Sequence, residues 1–292
     1  MAGSLGFHHG CDPGTIYVAE IIHRADMTYI GVDWGSNGWI CAVLDHDERG
    51  SRETYSWRFV RRPSILSVWM EFGAGHEDDV GRILVDIPIG LPTDDARAAD
   101  LEARTFLPPS RQSSVFPAPC EQAVYEDEYD EAAETHEDVL GRGLSPYSWS
   151  LSPRIREVDE FLGQYTDARG PMLESHPEVC FHALDVDDDL EDSKQDDSGL
   201  EQRHELLTDC ERTAGLSSNA TAAYTDLVKR IERLSPFARR IGLGNRDDVL
   251  DAMAMALTAR LADGDFDCLP DKDAPNGVNE IVYFDGERLD PM

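Results

Sequence analysis

From Met27 onward the alternation of apolar and polar positions reads strand, turn, strand. Thr28-Tyr29-Ile30-Gly31-Val32-Asp33 is an apolar run that closes on an acid. Gly35-Ser36-Asn37-Gly38 is a tight-turn cluster, and Trp39-Ile40-Cys41-Ala42-Val43-Leu44 is apolar again. A third strand is predicted near 53–60 and a helix from Pro63 to near Gly73. Arg82-Ile83-Leu84-Val85-Asp86-Ile87 reads as a buried strand stopped by Pro88 and Gly90. A helix is predicted from about Asp94 to Leu107, with Arg97 and Arg104 on one face, followed by a four-proline loop from Pro108 to Pro119. Residues 121–140 are acidic and helical in propensity, and Ser152-Pro153 is expected to start a helix whose stripe is Ile155, Val158, Phe161 and Leu162.

Beyond these lies a short strand at 171–175, and His176-Pro177-Glu178 opens another helix. Residues 185–197 hold eight acids and read as a solvated loop. Three helices are predicted at about 196–213, 219–234 and 246–263, with Ile281-Val282-Tyr283-Phe284 as a last edge strand. Strands first and helices interleaved later predict an α/β fold: a mixed five-stranded sheet flanked by helices. Strands near 28–33, 38–44 and 53–60 should form a meander, and those near 82–87 and 171–175 should extend it parallel to the first.

Residues 1–26 do not continue this pattern. They lack a basic segment followed by an apolar core, which argues against a secretory signal, and they are expected to be a dispensable extension before a natural start at Met27. A metal role for His8, His9 and Cys11 is the alternative. Residues 27–292 are expected to form a single domain. The longest apolar stretch, Val249 to Leu261, is broken by Asp251 and Arg260, so no membrane span is predicted. Six cysteines, none in a C-x-x-C pair, read as reduced and mostly buried thiols.

Charge changes the picture most. Fifty-eight acids face 26 bases, a formal net charge of -32, and of the bases 23 are Arg and three are Lys (Lys194, Lys229, Lys272). One reading is a mimic of nucleic acid or a cation-binding surface. The other is adaptation to high intracellular salt, where the Debye length shrinks to ~3 Å at about 1 M. Even spreading of the acids and depletion of Lys favour the second, and with it a cytoplasmic protein of an extreme halophile.

Against this diffuse background a few acids stand out by context. Asp33 and Asp86 end buried strands, Glu174 lies on a third, and Asp247, Asp248 and Asp251 head a helix that is apolar almost all round from Val249. An acid left desolvated at a strand end is costly, so each must find a cation, a donor or water. Asp248 and Asp251 are three apart and share one helix face. Capping and the helix dipole account for Asp247 and Asp248 by themselves, and a turn-forming role accounts for Asp33; Asp251, one turn further in, is explained less well that way. A set of converging carboxylates suits two-metal catalysis, in which two cations about 4 Å apart clamp the attacking and leaving oxygens of a phosphodiester. Oxygen ligands select Mg²⁺ or Mn²⁺.

The ordered series Gly31-Val32-Asp33-Trp34-Gly35, Asp86-Ile87-Pro88-Ile89-Gly90, Ser113-Ser114-Val115-Phe116-Pro117, Ile155-Arg156-Glu157-Val158-Asp159 and Glu174-Ser175-His176-Pro177-Glu178 resembles domain-of-unknown-function family 429 over Met27 to about Leu261. That family is described as predicted nucleases with a ribonuclease H-like fold. The final helix is also similar to that of Holliday-junction resolvases, where a D-x-x-D-A-like segment supplies metal ligands. The resemblance implies that Asp33, Asp86, Asp248 and Asp251 are ligands of Mg²⁺ or Mn²⁺, with Glu174 as a further catalytic acid. It implies that Arg111, Ser113 and Ser114 hold a phosphate of a nucleic-acid substrate, with Lys194 and Arg203 as further candidates; surface ion pairing is the alternative for those two. His176 is either a general base or a helix cap. The acidic surface opposes non-specific nucleic-acid binding. A nucleic-acid substrate would therefore need a local basic patch, for which Arg97, Arg104, Arg111, Arg239, Arg240 and Arg246 are the candidates. A nucleotide or small-molecule phosphotransferase and a non-catalytic interaction domain are the competing readings.

Overall fold

The computed structural model describes residues 27–35, 37–47, 54–75, 80–187, 190–235, 245–271 and 277–289. The extension at 1–26, with His8, His9 and Cys11, and the candidate cations Arg239 and Arg240 lie outside the described residues.

The predicted meander is formed by Thr28–Gly35 (β1), Gly38–Asp47 (β2) and Thr54–Arg62 (β3), paired antiparallel in sequence order. Val80–Val85 (β4) runs parallel to β1 on its other side, and Met172–Glu174 (β5) runs parallel to β4. The sheet has six strands rather than the five expected, in the order β5-β4-β1-β2-β3-β6. The extra strand β6 is Ser217–Ser218, parallel to the start of β3. Two serines carry no apolar signature, so periodicity had nothing to register. The segment expected as a last edge strand, Ile281–Tyr283 (β8), instead pairs with Asp267–Leu269 (β7) in a separate two-stranded sheet.

Helices cover both faces. Ile65–Phe72 (α1) and Pro146–Gln164 (α5) pack on the face carrying Ile30, Val32, Cys41, Val43, Ile83 and Val85. Between them in sequence lie Ala98–Phe106 (α2), Glu121–Val124 (α3) and Tyr129–Leu140 (α4). Helix α5 starts six residues before the expected Ser152, because Ser145 accepts from Ser148 N (3.0 Å) and Pro146 takes the first helical position, leaving Pro153 inside. Its predicted stripe Ile155, Val158, Phe161 and Leu162 is buried. Helix α2 starts at Ala98 rather than near Asp94.

The opposite face carries Tyr29, Ile40, Ala42, Leu44 and Leu84. It is covered by Pro177–Leu184 (α6), Asp197–Thr213 (α7), Ala220–Arg233 (α8) and, centrally, Arg246–Ala262 (α9). Helix α9 is buried from Val249 through Ala259. It crosses β1 at backbone contact: a Cβ on Gly31 would lie 1.9 Å from Ala252 O. No described helix is long and apolar enough to cross a membrane. The five described cysteines are buried.

Candidate functional site

The site is assembled by three elements that end at one place. β1 and β4 are parallel, so their C-terminal ends share an edge of the sheet, and the first residue after β4, Asp86, hydrogen-bonds through its N–H to Val32 O (2.9 Å). Side chains alternate along β1. Tyr29 and Gly31 face α9, so Asp33 and Gly35 do too. The helix runs antiparallel to β1, with Ala252 over Gly31 and the Asp248 carboxylate over Gly35, where a Cβ would lie 2.3 Å from Asp248 Oδ2. Asp33, between these two contacts, therefore faces the first turns of α9. Asp248 itself accepts from Asn245 N (2.9 Å), closing the helix start.

Asp33 and Asp251 are buried, and Asp86 and Asp248 half-buried. Burial, then the charges of Asp86, Asp251 and Asp248, hold the Asp33 carboxyl well above the usual carboxylate range, with Lys194 opposing. Burial also raises Asp86, which His176 and Lys194 pull back down and Glu178 pushes up. Asp251 is pushed up to about 7 by burial, against the pull of Lys194. Asp248 is pushed up to about 6 by burial, against its bond from Asn245. Burial is the leading cause in all four, and like charge within the set adds to it at Asp33, from Asp86, Asp251 and Asp248, and at Asp251, from Asp86. The cation that answers them is Lys194, whose Nζ lies 2.6 Å from Asp251 Oδ2 and 3.9 Å from Glu178 Oε1. Burial disfavours its charge, but Asp251, Glu178 and Asp33 outweigh that and raise its pKa. Asp251 Oδ1 is buried without a hydrogen-bond partner. Among the described residues, no group of three or more His, Cys, Asp or Glu side chains is disposed to hold a metal ion.

The other predicted residues divide. Glu174 pairs in register with Val85 and so takes the α1/α5 face of the sheet, yet it borders the same cavity as Asp33 and Asp86. Its carboxylate accepts from Arg97 Nη2 (2.5 Å) and Ile89 N (2.6 Å), and burial raises it to about 7 despite Arg97. Arg203 donates through Nη2 to both oxygens of Glu178 (3.1 and 3.3 Å) and through Nη1 to Asp192 O and Gly199 O. Arg111 donates to Leu190 O and stands 3.8 Å from Glu178. Ser114 donates to Arg111 O (2.7 Å), and Ser113 is exposed. His176 caps α6 by accepting from Glu178 N at Nδ1 (3.2 Å).

Glu178 is the acid that sequence reasoning missed. Buried, it gathers Arg203, Arg111 and Lys194 beside Asp86 and Asp251. It closes the segment Glu174-Ser175-His176-Pro177-Glu178 that carries the family resemblance, but behind Pro177 at a helix start an acid reads as a dipole partner.

These groups open into a cavity of 310 Å³ bordered by Asp33, Asp86, Lys194, Ser114 and His176, with Trp34, Phe116 and Tyr147 as aromatic walls. The family described as Protein of unknown function (DUF429) matches residues 31–274, which take in the six-stranded sheet from Gly31 onward, α9 and every one of these side chains. The chain belongs to DUF429. No curated protein and no solved structure matches this DUF429 chain.

Proposed function

We propose that this DUF429 chain is a divalent-metal-dependent nuclease on a ribonuclease H-like scaffold, hydrolysing a phosphodiester at the cluster of Asp33, Asp86, Asp248 and Asp251. The observation that carries the reading is the meeting of these four carboxylates from β1, the end of β4 and the first turns of α9. A meander β1–β3 with β4 and β5 parallel beyond β1 is the arrangement that scaffold requires. In chemical type the donor set suits a hard cation, since all its atoms are oxygens and Asp251 Oδ1 is buried without a partner, but the carboxylates would have to draw closer together to share one ion. Asp33, Asp86, Asp248 and Asp251 would hold Mg²⁺ or Mn²⁺, which would compete with Lys194 for Asp251. Such an ion supplies Lewis-acid polarisation of the phosphate and lowers the pKa of a bound water. The chain's own residues position the substrate: Lys194 and Ser114 face the cavity where a phosphate oxygen would lie. A cytoplasm rich in salt is the compartment that the charge of -32 fits.

A second reading, phosphoryl transfer on a nucleotide or other small phosphoester, is favoured by one observation. Arg97, Arg104, Arg111 and Arg246 all bond to partners inside the chain, and a 310 Å³ cavity is near the lower end of small-ligand sites, roughly 300–1,000 Å³.

The test is Mn²⁺ binding by calorimetry in molar KCl, with cleavage of single-stranded, duplex and branched DNA and RNA measured alongside. Asp33→Asn and Asp251→Asn should each weaken Mn²⁺ binding and abolish cleavage. Full Mn²⁺ affinity in both variants would leave the carboxylates structural and the chain an interaction domain. Turnover of a nucleotide alone would establish the second reading.

A further inference from the structure

Phe116 and Tyr147 form a stacked pair, ring centroids 4.0 Å apart and planes at 29°, yet they are 38% and 54% exposed. Both border the cavity that holds Asp33 and Asp86. They come from separate elements, Phe116 from the loop after α2 and Tyr147 from the first turn of α5, held there by the Ser145 cap. Trp34, next to Asp33 in β1, adds a third ring to the same cavity, with the Arg154 guanidinium 4.3 Å over it.

Two large aromatic rings in water cost free energy unless something covers them, and this pair sits beside the candidate chemistry. What covers them must also solve the problem of charge. A chain with net charge -32, whose described candidate arginines are paired internally, gains little from phosphate neutralisation and counterion release, least of all in high salt. Stacking on a ring needs no positive charge and survives salt. It also requires a flat partner not already stacked in a duplex.

We propose that the Phe116–Tyr147 pair is a stacking platform for an unpaired nucleobase whose phosphate lies at the carboxylates. The proposal rests on the phosphoester reading above for the position of that phosphate. Its chemical class of ligand is a purine or pyrimidine base carrying a phosphate, in a single strand or as a free nucleotide. Duplex nucleic acid, with its bases stacked inside, does not fit. Tyr147 and Phe116 thus act as binding residues that set which substrates reach Asp33 and Asp86.

The experiment uses the full chain with Asp33 intact, in molar KCl with Ca²⁺ in place of Mn²⁺, so that binding is read with turnover suppressed and the carboxylates unchanged. A single-stranded oligodeoxynucleotide containing 2-aminopurine is titrated in, and its fluorescence quenching is followed. Adenosine monophosphate and a fully paired duplex serve as competitors. Quenching on binding is expected, with the duplex a poor competitor. Competition by the mononucleotide would assign the platform to free nucleotides, and its failure would assign it to single strands. Adding Tyr147→Ala or Phe116→Leu should weaken the oligonucleotide by roughly five- to a hundredfold, while Tyr147→Phe, which keeps the ring, should stay within about twofold. Thermal melting of each variant shows that the loss is local, since both side chains lie at the surface. Absence of quenching, or affinity unchanged in both ring-removing variants, would overturn the platform. Mn²⁺ calorimetry on the chain with Asp33 intact is run separately: its failure would strike the carboxylate reading while leaving the stacking result standing.

Discussion

Two glycines of β1 show how closely this fold and its site are tied. At Gly31 the nearest obstacles to a Cβ are Ala252 O (1.9 Å) and Ala256 N (2.7 Å), both backbone of α9. At Gly35 the obstacle is the Asp248 carboxylate, the far end of a side chain (2.3 Å). Gly31→Ala must push the helix off the sheet and should cost at least about 1–3 kcal/mol, the usual range for overpacking. Gly35→Ala needs only to turn the Asp248 carboxylate aside. It should melt closer to the parent chain yet bind Mn²⁺ more weakly. Urea unfolding and Mn²⁺ calorimetry on the two variants check this; a Gly35→Ala chain with intact Mn²⁺ affinity would remove Asp248 from the site. The candidate acids were legible for a related reason. Asp33 and Asp86 break apolar runs at strand ends, and Asp251 interrupts an otherwise apolar helix, so each was conspicuous as a cost. Glu178 was not, because an acid behind a proline at a helix start is ordinary. Phe116 and Tyr147 were not, because an exposed ring and a buried one look alike in sequence.

At the scale of elements, strand order was legible and strand facing was not. The meander and the parallel β4 and β5 follow from apolar runs and connection lengths, but a two-residue strand such as β6 has no run to read. Glu174 shows the limit. Its burial was predictable, whereas its partners depend on the register Val85↔Glu174, which sets the carboxylate against Arg97 and Ile89 N in the wall of the cavity that Asp33 also borders. This environment has a consequence in pH. Burial raises the Glu174 carboxyl to about 7, with Arg97 pulling the other way, against about 4.3 in an unfolded chain. A group raised on folding binds its proton more tightly in the native state. Its contribution to stability is therefore full below about pH 4 and is lost as pH rises through about 7. Glu174→Gln keeps the acceptor for Ile89 N and removes the titration. Melting temperature in the variant should consequently fall less steeply than in the parent between about pH 5 and 8. Parallel pH profiles for the two chains would show Glu174 ionised throughout, held by Arg97, and this account wrong.

At the scale of the whole molecule, two kinds of repulsion must be separated. The net charge of -32 is spread along the chain, and its cost is screened by monovalent salt, so melting temperature should climb with KCl toward the molar range. The crowding of Asp33, Asp86, Asp248 and Asp251 is local and largely buried, where mobile ions screen poorly, and the neighbouring Lys194 is one charge against several. A divalent cation seated among these carboxylates should therefore add a second increment of stability that molar KCl does not supply. By linkage that increment is about 2.7 kcal/mol when free Mn²⁺ stands at roughly a hundred times its dissociation constant. Its pH dependence has a definite sign. Protons compete with the cation for the same oxygens, and Asp248 and Asp251 are raised to about 6 and about 7. The Mn²⁺ increment should thus be largest near pH 8 and shrink as pH falls through 7 and then 6, in opposition to the cation-free chain, which loses stability as pH rises. Scanning calorimetry in molar KCl with and without Mn²⁺ measures both trends. Asp251→Asn should abolish the increment and flatten the cation-free slope together. An increment that persists in Asp251→Asn, or one that grows toward acid pH, would mean that Mn²⁺ binds the diffuse acidic surface and that the four carboxylates hold Lys194 alone.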